Sequence, residues 1–470
     1  MEDPELSLDS CIERRRDQII AVVSEIVRIP SIAGDPGISG PFGPGPARAL
    51  SRVLEIAGSF GLETKNLDDY AGYAEFGAGP EYIAVLGHLD TVPQGDGWHH
   101  QPFGGEVVDG KIFGRGALDD KGPILAAFFG MIALQDSGLS IKKKVRIIFG
   151  TDEETGSHDM DYYRAHEPVP LAGFTPDAEF PVVFAEKGIL WVEFSGSYRQ
   201  APPGEMEVLS IRGGSAVNMV PDFASAVVRT DRPGEITGSC LTFAKNTGYQ
   251  ISTKSEGDRV VIESHGVSAH GSTPGLGINA VMRLLAFLQT LPLDPAGIGP
   301  LIRVFNERIG SDNSGSLMGI HRSDTVSGDL TLNCGKIGAE GGIFRLTADI
   351  RYPVTIPAEE VITRIKNSLI GTGIEMKLVK HDPPLNFPSG SGLITTLLSV
   401  YRDVTGDLTP PVAIGGGTYA RRLPNIVAFG PYRPGERPPI HGPDEFISVD
   451  ELITDAKIYA RAIYRLARAP

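Results

Sequence analysis

Cysteine is scarce in this chain of 470 residues, with only Cys11, Cys240 and Cys334 present. Three scattered thiols can build neither a disulfide framework nor a cysteine-rich zinc module, and a reducing cytosol is the expected compartment. A basic surplus is missing too. The 43 Lys and Arg stand against 58 Asp and Glu, a net charge of −15. That balance argues against a nucleic-acid or anionic-membrane partner and leaves acidic groups for bound cations to neutralise. No apolar run is long enough to cross a bilayer, the longest being Ile124 to Leu134. The opening Met1-Glu2-Asp3-Pro4-Glu5 is acidic where a secretory signal is basic, so no targeting segment is expected. Low-complexity tracts and repeat arrays are also absent.

What remains is the composition of an ordinary globular protein, 41% hydrophobic and 21% charged, at a length that predicts two domains. Residues 12–28 and 47–60 space their apolar positions as amphipathic helices around a Gly/Pro-rich loop from Gly34 to Pro46. Tyr82-Ile83-Ala84-Val85-Leu86-Gly87 and Lys144-Val145-Arg146-Ile147-Ile148-Phe149-Gly150 read as strands buried on both faces. The apolar, helix-like Pro123 to Leu134 lies between them. This strand, helix, strand order predicts an α/β fold with a mostly parallel sheet flanked by helices. From residue 190 to 385 strands and amphipathic helices alternate differently, which predicts an inserted α+β domain. The first domain, residues 1–189, then resumes over 386–470 with a helix to Thr405, the apolar strand Ile426 to Gly430 and a last helix Val449 to Leu466.

Polar residues collect where the predicted strands end, the place where such sheets bind ligands. Asp119-Asp120-Lys121 is a knot of charge between two apolar stretches. Adjacent carboxylates repel unless a cation or a Lys/Arg partner neutralises them, or one takes a proton. His88 and Asp90 project to the same side of an extended segment. Asp90 could hold the second ring nitrogen of a ligating His88, although alone the pair reads more readily as a satisfied structural histidine. Glu153-Glu154 is a solvated acidic turn or a ligand beside a general base, and Asp177 alone is a turn aspartate after Pro176. Together His88, Asp119, Glu154, Asp177 and His441 form an oxygen/nitrogen set whose number suits two metal ions sharing one carboxylate. Gly415-Gly416-Gly417 lacks the Gly-Lys-Ser/Thr continuation of a phosphate loop. It is either a flexible turn or a stretch of bare backbone amides facing a substrate. His99, His100, His158, His166, His321 and His381 carry no motif and are expected to face solvent.

Several of these motifs, taken in combination, resemble the co-catalytic zinc exopeptidases that include acetylornithine deacetylase, succinyl-diaminopimelate desuccinylase, carboxypeptidase G and the PepV dipeptidases. They are His88-x-Asp90, Gly114-Arg115-Gly116-x-x-Asp119-Asp120-Lys121-Gly122, Asp152-Glu153-Glu154, Pro176-Asp177-Ala178 and His441-Gly442-Pro443-Asp444-Glu445. Pro41-Phe42-Gly43, Gly95-Asp96-Gly97-Trp98, Asp177-Ala178-Glu179-Phe180-Pro181 and Gly415-Gly416-Gly417-Thr418-Tyr419-Ala420-Arg421 resemble the PepV type most. The resemblance implies a zinc exopeptidase-like catalytic domain with residues 190–385 as its lid. It implies that Asp119 bridges two divalent metal ions, zinc first with manganese or cobalt as alternatives. His88 and Asp177 then hold one ion, and Glu154 and His441 the other. Glu153 is the implied general base, Asp90 the partner of His88, and the Asp119-Asp120 peptide is implied to be cis.

In the lid, His270 of Ser268-Ala269-His270-Gly271 resembles the histidine that stabilises the oxyanion, with His265 the competing choice. Asn218 and Arg351 resemble substrate contacts, Arg351 as a clamp on a free carboxylate. The amides at Gly416 and Gly417, with Thr418, are implied to meet the substrate as well. The implied activity is hydrolysis of dipeptides or short unblocked peptides by a monomer. An N-acyl amino-acid deacylase and a catalytically silent metal-binding protein are the alternatives.

Overall fold

The computed structural model describes residues 4–37, 39–200, 205–436 and 439–469. The chain forms two units, Met1–Phe184 with Asn386–Ala413 and Gly417–Pro470, and Ala185–Leu385 with Ile414–Gly416. The described part of the first unit is built on a sheet whose four central strands, in spatial order Lys144–Gly150, Tyr82–His88, Ala172–Thr175 and Ile426–Ala428, run parallel. Antiparallel strands flank this parallel centre. Ala71–Phe76 and Glu63–Leu67 extend one side antiparallel, and Val183 pairs antiparallel with Ala428 on the other. The flanking strand Glu63–Leu67 is exposed over its first four residues, a short polar edge without the continuous apolar signature of the central strands.

Every residue of Tyr82–His88 is buried, because helices cover the sheet. Lys121–Ser137 is one of them, buried without interruption from Lys121 to Leu134, as befits a helix apolar on all sides. It packs against Val449–Arg468 so closely that a Cβ on Gly130 would lie 2.9 Å from the Ala460 nitrogen and 3.1 Å from its Cα. Chain order gives the site its place. From Tyr82–His88 the chain moves first to the neighbour Lys144–Gly150 and then across to Ala172–Thr175 on the other side. The connections therefore reverse direction around Tyr82–His88, opening a crevice beyond its carboxyl end.

The second unit holds an eight-stranded sheet in the order Gln250–Glu256, Arg259–His265, Phe223–Arg229, Glu207–Gly213, Thr331–Glu340, Ile343–Tyr352, Gly188–Ser197, Glu375–Asp382. All its pairings are antiparallel. Helices Pro233–Thr247, Ala280–Leu288, Gly299–Arg308 and Ala358–Ser368 complete an α+β unit with its own core. Its edges differ from the expected 190–385. Gly188 already pairs with Tyr352, so the strand belongs whole to this sheet. Ile414–Gly416 joins as well, because the Lys187 amide donates to the Ile414 carbonyl and Arg351 holds the Gly415 carbonyl.

The three cysteines are buried and unpaired. Among the described residues no helix is long and apolar enough to cross a membrane. Gly130→Val forces side-chain volume between two helix backbones. It is expected to lower stability by about 1–3 kcal/mol, read as a fall in the denaturant midpoint; an unchanged midpoint contradicts the packing.

Candidate metal centre

The crevice of the first unit gathers side chains that follow the strands Tyr82–His88, Lys144–Gly150 and Ala172–Thr175, with Asp119 from the start of the helix Lys121–Ser137 and His441 from the loop before Phe446–Ser448. His88 closes its strand fully buried, with Nε2 3.1 Å from Asp119 Oδ1 and 3.9 Å from Asp177 Oδ2. His441 approaches Asp119 through the other oxygen, Nε2 to Oδ2 at 3.0 Å, and lies 3.1 Å from Glu154 Oε1. One carboxylate thus faces two imidazoles, one through each oxygen. The ligand atoms fall into two groups, His88 with Glu153 and Asp177, and Asp119 with Glu154 and His441, each compact enough for an ion. The grouping places Glu153 beside the His88 pair, although Asp119 Oδ1 is itself 3.1 Å from His88 Nε2.

Charge explains why these groups fit cations. Burial and the neighbouring carboxylates push Glu153 up to about 8, and burial and Asp119 raise Glu154 and Asp177. Burial would also raise Asp119, yet its hydrogen bonds to His441 and His88 pull it well below the usual carboxylate range. Oxygen and imidazole donors so crowded suit divalent ions such as zinc, which takes both. The Glu153 carboxylate makes no hydrogen bond among the described residues.

The carboxylates beside this cluster are held by main-chain amides. Asp120 is fully buried and accepts from the His88 amide at 3.2 Å. It approaches so closely that a Cβ on Gly87 would meet its Oδ2 at 2.2 Å. The Asp119-Asp120 peptide is cis. Lys121 does not neutralise the pair; its buried ammonium donates to the Ile29 carbonyl at 2.8 Å. Asp90 meets His88 through two oxygens. His88 Nδ1 meets the Asp90 main-chain oxygen at 3.1 Å and its carboxylate only at 3.4 Å. The Asp90 carboxylate also accepts from the amides of Glu153 and Glu154, each at 3.1 Å, so it aims the turn that carries both.

A family model described as Peptidase family M20/M25/M40 matches residues 84–465. The chain belongs to that family. It is accordingly a metallopeptidase-type hydrolase. Dipeptidase YtjP of Bacillus subtilis (strain 168), so named provisionally, is 38% identical over 460 residues, 97% of this chain and 98% of its own. SAB1611c of Staphylococcus aureus (strain bovine RF122 / ET3-1), also provisionally named a dipeptidase, is 34% identical over 463 residues, again 97% and 98%. The solved structure of the di-peptidase Dug1p from Saccharomyces cerevisiae shares the fold at a TM-score of 0.60 and 15% identity, covering 100% of both chains.

In this M20/M25/M40 peptidase the second unit carries its own cluster. The Ser272 amide donates to His270 Nδ1 at 3.3 Å, and the Ser272 hydroxyl lies 2.6 Å from the same atom. Because Nδ1 accepts, neutral His270 keeps its proton on Nε2, as a donor. His265 ends the strand Arg259–His265 five residues earlier. The Gly271 amide donates to the Asn218 carbonyl at 2.6 Å, while the Asn218 carboxamide has no hydrogen bond among the described residues. A Cβ on Gly416 would meet nothing nearer than Ile414 Cδ1 at 3.6 Å. Gly417 and Thr418 fall in the first unit, where the Thr418 hydroxyl accepts from the Ala420 amide.

Arg351 differs from the expected carboxylate clamp. It is buried, with Nε and Nη2 each 2.7 Å from an Asp349 oxygen and Nη1 donating to the Gly415 carbonyl at 3.0 Å. Its fork is occupied, and what it orients is the glycine loop. The Asp349-x-Arg351 spacing, which puts both side chains on one face of a strand, was the available signal.

Glu445 had no assigned part and is central. Its Oε1 accepts from the amides of Leu118 and Asp119 at 3.0 and 3.2 Å, and Oε2 accepts from Arg115 Nη1 at 2.6 Å. Both partners of that ion pair are buried. Glu445→Ala leaves a buried guanidinium unpaired. It is expected to cost about 3–5 kcal/mol of stability, measured by denaturant unfolding; a wild-type midpoint contradicts the assignment.

Proposed function

We propose that the protein is a PepV-type, metal-dependent dipeptidase hydrolysing dipeptides or short unblocked peptides. One observation carries the reading: Asp119 turns one oxygen to His88 and the other to His441, beside a Glu153 carboxylate that accepts no hydrogen bond among the described residues. His88 and Asp177 are assigned to one divalent cation, Glu154 and His441 to a second, and Asp119 to both. Zinc suits this donor set, and manganese and cobalt suit it as well. Ions bound there supply Lewis-acid polarisation of the scissile carbonyl and a lowered pKa for water.

The chain's own residues do the rest. Glu153 takes a proton from the attacking water and returns it to the departing amine. Its place supports that part, because its carboxylate lies with His88 and Asp177 at the cluster and accepts no hydrogen bond among the described residues. Asp90, through the amides of Glu153 and Glu154, keeps the base aimed. The family resemblance assigns His270 to the developing oxyanion, and the Nε2–H tautomer supports it. Asn218, Gly416, Gly417 and Thr418 are assigned to substrate contact on the same ground, with Arg351 holding the glycine loop. The provisional dipeptidase names of the 38% and 34% identical relatives support the substrate class. Unpaired cysteines support a cytoplasmic setting, and the PepV-like lid supports a monomer.

Glu153→Ala is expected to reduce turnover about 10²–10⁴-fold while metal content stays at the wild-type level. Substantial residual turnover would sink the role given to Glu153. A panel of dipeptides, tripeptides and N-acetyl amino acids tests the substrate class. Preference for dipeptides is expected, and preference for N-acetyl amino acids would make the protein a deacylase.

A further inference from the structure

The two histidines at Asp119 are held in different ways. His88 is fully buried at a strand end and is oriented through its second nitrogen by the Asp90 carbonyl. The His441 side chain is half exposed, and its Nδ1 has no hydrogen bond among the described residues. A ligating histidine is ordinarily oriented through that second nitrogen, so the position of His441 depends on its backbone. That backbone is unusual: His441 has φ 59° and Asp444 φ 54°, both in the left-handed region that non-glycine residues seldom occupy. Something must hold the turn in that shape.

Two adjacent carboxylates follow His441 and point to different partners. Glu445 is engaged with Arg115 and the amides of Leu118 and Asp119, which fixes the far end of the turn against the Asp119 segment. Asp444 reaches the Gly95–His100 segment. Its Oδ1 accepts from the amides of His99 and His100 at 2.8 and 3.0 Å, and its Oδ2 lies 2.6 Å from His99 Nδ1. Pro443 lies against Gly97 in the same contact. His99 and His100, expected to be plain solvent-facing histidines, are the anchor on which the turn rests.

We infer that Asp444 is a positioning residue for one half of the metal centre: by pinning the 441–444 turn to His99 and His100, it sets the affinity of the cation subsite formed by His441 and Glu154. The inference rests on the proposed reading of His441 as a metal ligand. His88 and Asp177, the private ligands of the other subsite, follow the strands Tyr82–His88 and Ala172–Thr175, and the shared Asp119 is held through Glu445 and not through Asp444. Asp444 therefore makes the two subsites separable. Removing it weakens one cation and spares the other.

The test uses the full chain stripped with a chelator and titrated with zinc alone against a chromophoric competitor. Wild type is expected to bind two ions per chain. Asp444→Ala is expected to retain one at wild-type affinity and to bind the second about 10–100-fold more weakly. Asp444→Asn keeps an oxygen for the two amides and is expected to stay close to wild type. His99→Ala removes only the ring partner, at an exposed position, and is expected to weaken the same single ion to a smaller degree, which keeps the test decisive if Asp444→Ala does not fold. Wild-type binding of both ions by Asp444→Ala, or equal weakening of both, overturns the positioning role and leaves the two-ion reading standing. Failure of the wild-type chain to bind two ions overturns the proposed function itself.

Discussion

Carboxylate repulsion is the constraint on which this structure turns. Asp90, Asp119, Asp120, Glu153, Glu154 and Asp177 converge beyond the strand ends around two imidazoles. Buried like charges at such spacing raise one another's pKa values and oppose folding unless positive charge or hydrogen-bond donors meet them. The structure divides the labour. Carboxylates not assigned to metal are taken up by main-chain amides: Asp120 by His88, Asp90 by Glu153 and Glu154, and Glu445 by Leu118 and Asp119. That leaves Asp119, Glu154 and Asp177 turned toward the histidines, with Glu153 beside them, and leaves cations as the natural source of the missing charge.

The same amide bonds make the centre one connected object. Asp90 ties the end of Tyr82–His88 to the Glu153-Glu154 turn. Glu445 ties the His441 turn to the Asp119 segment. Asp159 accepts from the amides of Thr151 and Asp152 and from the Tyr419 hydroxyl, so the turn before Glu153 is also bound to the segment after the glycine loop. Close approach pays a sequence price at Gly87 and Gly150, where a Cβ would strike Asp120 and Tyr419 at 2.2 Å. The amides of His88, Asp119 and Glu154 are thus each held by a carboxylate that is not assigned to metal.

Much of this was legible in the residues themselves. Tyr82–His88 and Lys144–Gly150 announce themselves by continuous apolar runs, and the polar residues at their ends mark the crevice, because a parallel sheet gathers its strand ends on one edge. The antiparallel flanks were not legible, since short polar strands such as Glu63–Leu67 carry no such run. The bracing partners were hidden for a different reason. Asp444 and His99 are separated by 345 positions, and nothing local in either segment announces the contact. Arg351 is drawn away from a clamp by Asp349, two residues away on the same strand face, which takes its Nε and Nη2.

The account stands or falls on Asp119 serving two ions at once. Anomalous diffraction at the zinc edge, from crystals of the zinc-loaded protein, tests this directly. The account predicts two peaks, each about 2.0–2.2 Å from a different Asp119 oxygen, one beside His88 and Asp177 and the other beside His441 and Glu154. A single peak, or two of which neither lies within coordination reach of Asp119, would contradict it.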